Sequence, residues 1–598
     1  VNTWYKWYNI LLTIFINLIV LTNSAFIPDI DQQGLYSKSD HVTILTIANF
    51  DKNIYGQDHA YLVQFYNSYC GHCRAFAPKF KALASEIAPW KNVVKLGVID
   101  CSVEENNEIC RQFEVMAYPS LRFLHENYLK GNAFIGDKFP SADTAEKLKI
   151  NLITVLQNEQ SQGRLHSAPS LNISSYVSYL DAINSGPKDT QYTFFVFEDE
   201  NSTVGSQLIL DLNDYEHVRV VRVLDNSDLA GVAKITSIPA LVAVNSEIMP
   251  SNLTPHQPTK QNMLKAINTY LKSNNFNFPI RDSDNEGESN SFVTYTKLTP
   301  DMDIVYYTDL EKTLKTSLYT EITRYKVVNG DILQALLSYL DVLIVSFPAK
   351  YNLKEYLTDL HSTLSSKNEW SGNDIHKMVK GLASLHSPIF SDELDYIGCR
   401  GSQPQYRGYT CGLWTLFHTL TVNAANKSGV QGPKVLQAMH GYVKYFFGCT
   451  ECSQHFQAMA MRNRLFDVKE NDKAVLWLWI SHNEVNLRLA GDVTEDPKYP
   501  KIQFPSVERC PQCRLARGAW NLAAVYEYLR KIYDAENIQD IKRAKSAGVA
   551  QSPFSNLDIG MLSLMYILSF IILILLIKYV FSKRFFRKRH YKHALGKV

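Results

Sequence analysis

Apolar residues in the amino-terminal half fall into short runs separated by polar helical stretches. Val42 to Leu45, Tyr61 to Tyr66, Val93 to Ile99 and Leu121 to Leu124 read as strands, and a helix is expected after Cys73. Strands alternating with helices imply a mixed sheet covered on its faces. The rhythm returns in Thr193 to Phe197, Val218 to Val223 and Ile238 to Val242, this time with no cysteine. From about Asp309 to Leu385 the period becomes helical, as in Ile332, Leu333, Leu336, Leu337 and Leu340. The stretch from Cys399 to Tyr533 reads as about four or five short helices, a small bundle. Asp472 is the expected cap of one that runs to Leu489, with Gly491 just past its end.

Two apolar segments lie outside these domains. Lys6, the run Ile10 to Leu21 and the small residues ending at Ala25 follow a secretory signal-peptide pattern over 1–25. Ile559 to Val580 is long enough to cross a bilayer, and Lys583, Arg584, Arg587, Lys588 and Arg589 follow it. The positive flank belongs in the cytoplasm. A single-pass protein is therefore expected, with its amino-terminal part in the lumen or outside. Sequons at Asn172, Asn201, Asn252 and Asn426 fit that route as glycosylation candidates.

Charge and cysteine usage narrow the chemistry. A formal net charge of +2 over 598 residues, with no basic block in the lumenal part, gives no footprint for nucleic acid. Ten cysteines at close spacing in an oxidising compartment favour disulfides over zinc, and no metal site is expected. Strand Tyr61 to Tyr66 runs into Cys70-Gly71-His72-Cys73. A thiol at a helix start meets the positive end of the dipole, so Cys70 is the attacking sulfur and Cys73 the resolving one. Cys101 and Cys110 read as a structural disulfide pinning a short helix, with a second redox pair as the sharper alternative.

Cys449-Thr450-Glu451-Cys452 reads as an electron-accepting disulfide. Trp414 and His418 share one helix face, as do Trp479, His482 and Asn486 on another, and His455 follows Cys452 by three. Singly these are ordinary core residues. Together they offer flat walls and polar edges to a planar cofactor. No glycine-rich fingerprint stands between a strand and a helix, so a dinucleotide-type flavin site is not expected.

Val63-Gln64-Phe65-Tyr66, the CGHC motif, Pro78 and Tyr118-Pro119 resemble the thioredoxin domain of protein disulfide isomerases. That family usually carries a buried Glu where this chain has Gln64. Tyr406-Arg407-Gly408, Cys411 to His418, Phe446 to Cys452 with His455-Phe456, and Trp477-Leu478-Trp479 with His482 to Asn486 resemble the Erv/ALR sulfhydryl oxidase domain. The whole resembles a quiescin sulfhydryl oxidase: multidomain α+β, with two thioredoxin-like α/β domains, a helical spacer and an Erv/ALR-type FAD-binding helical bundle, then a C-terminal transmembrane helix. Expected boundaries are 35–158 for the redox-active thioredoxin domain and 165–278 for a silent copy that acts as a spacing element, with substrate contact as the alternative. The helical spacer takes 291–390, the FAD domain 395–540, a linker 541–557, the transmembrane helix 558–580 and a cytoplasmic tail 581–598.

The resemblance implies FAD bound by Arg407, Trp414, His418, Glu451, His455, Trp479, His482, Asn483, Asn486 and Lys501. Phe504 stands where the family usually has a Trp. The resemblance also implies disulfides Cys399–Cys411 and Cys510–Cys513, the first structural, the second structural with a redox role as the alternative. Electrons would pass from dithiols of reduced secretory proteins through Cys70 and Cys73 to Cys449 and Cys452, then to FAD and oxygen, yielding hydrogen peroxide. The expected place is the Golgi or cell surface, with secretion after cleavage as a variant. A flavin-free disulfide isomerase and a membrane-tethered adaptor or chaperone are the competing readings.

Overall fold

The computed structural model describes residues 32–539 apart from breaks at 132–133, 225–227, 245–248, 277–302, 351, 392–394, 428, 430 and 493, then Asp540 and a few helical residues between 569 and 579. Val1–Gln539 form one compact unit and Asp540–Val598 a second. The expected signal peptide, the 541–557 linker, the cytoplasmic tail and most of the expected 558–580 span lie outside the described residues. Among the described residues no helix is long and apolar enough to cross a membrane.

The first domain is a five-stranded sheet in the order β1-β3-β2-β4-β5, built from β1 (Thr43–Leu45), β2 (Ala60–Tyr66), β3 (Val94–Asp100), β4 (Ser120–Leu124) and β5 (Asp137–Phe139). β2 is parallel to β3 and antiparallel to β4. All seven residues of β2 are buried, as a central strand covered on both faces requires. It delivers the chain to α1 (Gly71–Glu86), with Cys70 at the helix cap. Pro119, on a cis peptide bond, precedes β4 and brings its loop back beside Cys70. The short helix α2 (Asn107–Gln112) follows β3 and is stapled by the Cys101–Cys110 disulfide.

The second sheet runs β9-β8-β6-β7, from β6 (Tyr192–Glu198), β7 (Val218–Leu224), β8 (Ala240–Val244) and β9 (Pro250–Asn252). Its strands fall where the apolar runs predict, and Ile238-Pro239 is also cis. Where the first domain places thiols ahead of a helix, this one places a buried ion pair. The Glu198 carboxylate pairs with Arg222 and accepts from the Gly205 N–H at the start of α3 (Val204–Asp211). That position is thus filled by an ion pair, and the domain carries no cysteine. Asp211 ties it to the first domain, accepting from the Trp90 indole at 2.7 Å.

The helical region departs from the expected division into spacer and FAD domain. α4 (Tyr307–Thr316), α5 (Gly330–Ser346), α6 (Leu353–Ser365) and α7 (Gly372–Leu385) share one hydrophobic core with α8 (Gly408–Ala425), α9 (Gly432–Tyr445), α10 (Thr450–Arg462) and α11 (Asn471–Leu489). Leu310, Leu336 and Tyr339 pack in the same cluster as Leu416, Phe417 and Tyr442. The segment is half of the oxidase core rather than a tether. Asp472 is likewise not the cap of α11, which begins one residue earlier with Glu470 at the cap position. Asn471 is committed elsewhere, its side-chain oxygen accepting from the N–H groups of Gln431 and Gly432 at the start of α9. The bundle is closed by α12 (Leu522–Tyr533).

Gly412 marks how closely the halves approach. A Cβ there would lie 1.9 Å from Thr313 Oγ1 and 3.1 Å from the Tyr396 ring. Thr313 is buried and its hydroxyl is held by the Asp309 carbonyl, so it has nowhere to move. Gly412→Ala is predicted to lower the denaturation midpoint, since overpacking costs about 1–3 kcal/mol; Thr313→Ala in the same chain should restore most of the loss. Independent behaviour of the two changes would show that the helical halves are separate.

Candidate active site

The site is assembled where the first domain meets the bundle. Cys70 is almost completely buried, its sulfur 3.8 Å from the Tyr118 carbonyl. Cys73 is fully buried one turn further in, and its sulfur accepts from the Asn67 N–H at 3.5 Å. Both are thiols. Cys70 is held below its ordinary pKa, first by the hydrogen bond from Cys73, then by backbone N–H groups at the helix start and the charge of Arg74. Burial pushes Cys73 well up. One sulfur is thus poised as a thiolate nucleophile and the other held protonated, as the helix-dipole argument expects.

Gln64, fully buried on the central strand, accepts the Tyr36 hydroxyl through its side-chain oxygen. An amide cannot take the proton from Cys73. Asp100, buried behind the same loop, is held by the N–H and hydroxyl groups of Ser68 and Ser102.

Cys449 and Cys452 form a disulfide, with Cys449 at the cap of α10. His72, inside the first motif, sits with its Nδ1 3.0 Å from Glu451 Oε2, inside the second. A His72 ring nitrogen and the sulfurs of Cys449 and Cys452 lie within 4.8 Å of one another. Arg74 anchors the approach by donating to the carbonyls of Gln405 at 2.5 Å and Thr494 at 2.9 Å. Cys70, Cys449 and Cys452 line one cavity of about 850 Å³.

That cavity continues into the bundle. Its walls include Trp414, stacked on the His482 ring at 4.1 Å and 5°, and Phe504, which packs on Tyr528. Arg407 and Lys501 bring cations to it, and Arg407 lies over the Tyr499 ring at 4.4 Å. Lys501 is pushed below its ordinary range by burial and then by Arg407. Glu451, His455 and Asn486 also reach the cavity. Burial pushes His418 down to about 3 and His482 well down, so both imidazoles are neutral.

Three expected cofactor residues stand behind the wall instead. His418 lies 3.1 Å from His482 and stacks on Tyr533, with its Nδ1 buried and unpartnered. The Trp479 indole and the Asn483 amide both donate to the Phe504 carbonyl, at 2.6 and 2.8 Å. Asn483 also accepts from the Phe504 N–H at 2.7 Å, and Asn486 donates to Ile502. α11 thus pins the loop that carries Lys501 and Phe504. Arg74, Tyr499, Tyr533 and Asp309 were not legible as site residues. Tyr499 could have been found from its place two residues before Lys501. Asp309 could not, lying in the supposed spacer, yet it lines the cavity, accepts from the Ile397 and Cys399 N–H groups and is pushed up to about 6 by burial.

Cys399–Cys411 closes the loop before α8, and Cys510–Cys513 is buried against Trp479, Val475 and Val525 away from the cavity. The four sequon asparagines are all exposed, although the Asn426 amide donates to Asp534.

Comparison with known proteins accounts for this assembly. Thioredoxin matches residues 41–149, the flavin adenine dinucleotide (FAD)-dependent sulfhydryl oxidase family residues 301–402, and the Erv1 / Alr family residues 411–505. Sulfhydryl oxidase 1 of Gallus gallus is 34% identical over 532 residues, 86% of this chain and 70% of that protein. Sulfhydryl oxidase 2 of Homo sapiens is 32% identical over 502 residues, 80% and 70% of the two chains. The chain belongs to the quiescin sulfhydryl oxidase family. A solved sulfhydryl oxidase fragment of human QSOX1 is 36% identical and covers 40% of this chain and all of the fragment, with a TM-score of 0.38.

This oxidase uses FAD and forms disulfides from dithiols, with oxygen as acceptor. The residues present fit the cofactor: flat aromatic walls for a ring system and cations at the cavity for a diphosphate.

Lys501→Ala should weaken FAD retention by about 1.5–3 kcal/mol, the worth of a hydrogen bond to a charged group, read from flavin absorbance per mole of protein after gel filtration. Alkylation of the dithiol form should consume Cys70 with a pH midpoint below the ordinary thiol value of 9.0. Its rate falls as pH drops through that midpoint, because the thiolate reacts. Cys73 reacting first would contradict the assignment.

Proposed function

We propose that this oxidase relays electrons from reduced or unfolded secretory proteins through Cys70 and Cys73 to Cys449 and Cys452. One observation carries this reading: a buried thiol pair and a disulfide line the same cavity, with His72 of one motif against Glu451 of the other. A substrate thiolate attacks Cys70 of the oxidised pair, and Cys73 leaves as thiolate. The second substrate thiolate then attacks its own partner sulfur and frees Cys70, so the substrate gains a disulfide and the pair gains two electrons. Cys70 thiolate attacks Cys449 and Cys452 leaves. Cys73 attacks Cys70 in turn and releases Cys449.

The chemistry that bound FAD supplies is acceptance of an electron pair and its delivery to oxygen, giving hydrogen peroxide. Trp414, His482 and Phe504 would flank its ring, and Arg407 and Lys501 would meet its phosphates. Neutral His418 and His482 keep the ring pocket free of added positive charge. Trp479 and Asn483 hold the loop. Because Cys70 is buried against the bundle, it has to leave that position to reach a protein substrate, and domain movement belongs to the cycle.

The place of action is the secretory pathway, at the Golgi or cell surface. The apolar segments at 10–21 and 559–580, the basic flank after the second, and four exposed sequons support it. Residues 32–539 would face the lumen on a single carboxy-terminal anchor. Expression with microsomes should yield a membrane-bound product whose lumenal part is glycosylated and protected from added protease; an unglycosylated, freely digested product would refute this.

Cys70→Ser should abolish oxidation of a reduced unfolded protein while slow oxidation of small dithiols persists through Cys449. Peroxide formation with both substrates is the measurement. Equal loss with both would break the relay.

A further inference from the structure

We propose that Ser317–Arg324 is a docking cradle that sets the first thioredoxin domain so that Cys70 meets Cys449, with Asn107 and Arg111 as its positioning residues. The inference rests on the relay above and names the contact that aligns it.

Ser317–Glu321 is a turn of π-helix at the end of α4, closed by the Ile322 N–H on the Ser317 carbonyl at 3.0 Å. Such turns shift carbonyls out of the usual helical pairing and recur at functional sites. Here those groups are taken by the other domain. Asn107 donates its amide to the Thr320 carbonyl at 3.2 Å and to the Thr323 hydroxyl at 2.9 Å. Arg111 donates to the Thr323 carbonyl at 2.9 Å and to the Asn373 side chain at 2.7 Å. Asn107 is 1% exposed and Arg111 6%. Both sit on α2, the helix that Cys101–Cys110 staples to the end of β3. That disulfide therefore holds a docking helix in place.

The other side of the same segment reaches the redox centres. Glu321 and Arg324 form a buried pair at 3.4 Å, and Glu321 accepts from the Gly448 N–H. The Arg324 guanidinium lies 5.8 Å from the Tyr118 ring centroid. Tyr118 offers its carbonyl to Cys70, and Gly448 precedes Cys449. Any side chain at Gly448 would collide, its Cβ 2.5 Å from Arg324 and 2.6 Å from the Tyr118 ring. One segment thus grips α2 on one side and both cysteine loops on the other.

The chemistry of the grip suits a domain that comes and goes. Its contacts are hydrogen bonds that water can replace on separation, so docking is specific in register without being tight. The flanking pairs Lys326–Glu114 and Lys380–Glu104 are partly or largely exposed and add little.

The test uses the full FAD-loaded chain. Asn107→Ala with Arg111→Ala should slow oxidation of a reduced protein at least tenfold, while small-dithiol oxidation stays unchanged and Cys70, buried only when docked, is alkylated no more slowly. In a Cys73→Ser, Cys452→Ser background, diamide should form the Cys70–Cys449 disulfide, and the same pair of substitutions should slow that trapping in parallel. Asn373→Ala, an exposed change that removes one Arg111 acceptor without disturbing the core, should give a smaller loss of both rates. Unchanged trapping and turnover in these variants would overturn the cradle. Failure to trap with the cradle intact would instead overturn the relay on which it rests.

Discussion

Disulfide exchange needs three sulfurs nearly in line, and a thiolate that is stable enough to exist yet reactive enough to attack. The first motif meets the second need by placing Cys70 at the start of a helix. The first need cannot be met within either motif. It depends on one domain docking against another closely enough to bring Cys70 and the Cys449–Cys452 bond into one cavity. The remaining architecture serves that approach.

Seen this way, elements that carry no redox chemistry acquire definite tasks. The silent thioredoxin copy, its helix start filled by the Glu198–Arg222 pair, is tied to the active one through Asp211. The helices ahead of Cys399 complete the oxidase core and supply Asp309, Glu321 and Arg324 to the junction. A spacer with no core of its own could not fix a buried ion pair beside Gly448. The oxidase therefore has one continuous helical core against which the redox domain docks, and the matches to three families along the chain mark its covalent order rather than three independent bodies.

Polarity within the site is divided by task. Cys70 is stabilised as thiolate by hydrogen bonds and a cation, whereas Cys73 is kept protonated by burial. In the bundle His418 and His482 are neutral for the same reason that Cys73 is, and the cations are confined to Arg407 and Lys501. Gln64 is a buried amide where the resembling family usually has a carboxylate, and the buried carboxylate of this region is Asp100, behind the Ser68 loop.

The local chemistry was written in the chain. Strands of the two sheets, both Cys-x-x-Cys motifs and the helix faces that carry Trp414 and His482 follow from period, spacing and motif, because each depends on neighbours within a turn or a strand, whereas Arg407 and Lys501 came from the family resemblance. The tasks of His418, Trp479 and Asn483 did not follow. Helix spacing puts them on the correct face, but whether such a side chain touches a cavity or stands behind its wall depends on where Phe504 and Tyr533 lie, and that is set by packing across the bundle. Asn471 likewise spends its side chain on a neighbouring helix, leaving Asp472 short of the cap that local pattern assigned it. The union of spacer and bundle, and the contact between α2 and Ser317–Arg324, join residues roughly a hundred to two hundred positions apart. Periodicity reports which face of a helix is apolar but not which distant face covers it, and only the folded chain decides that.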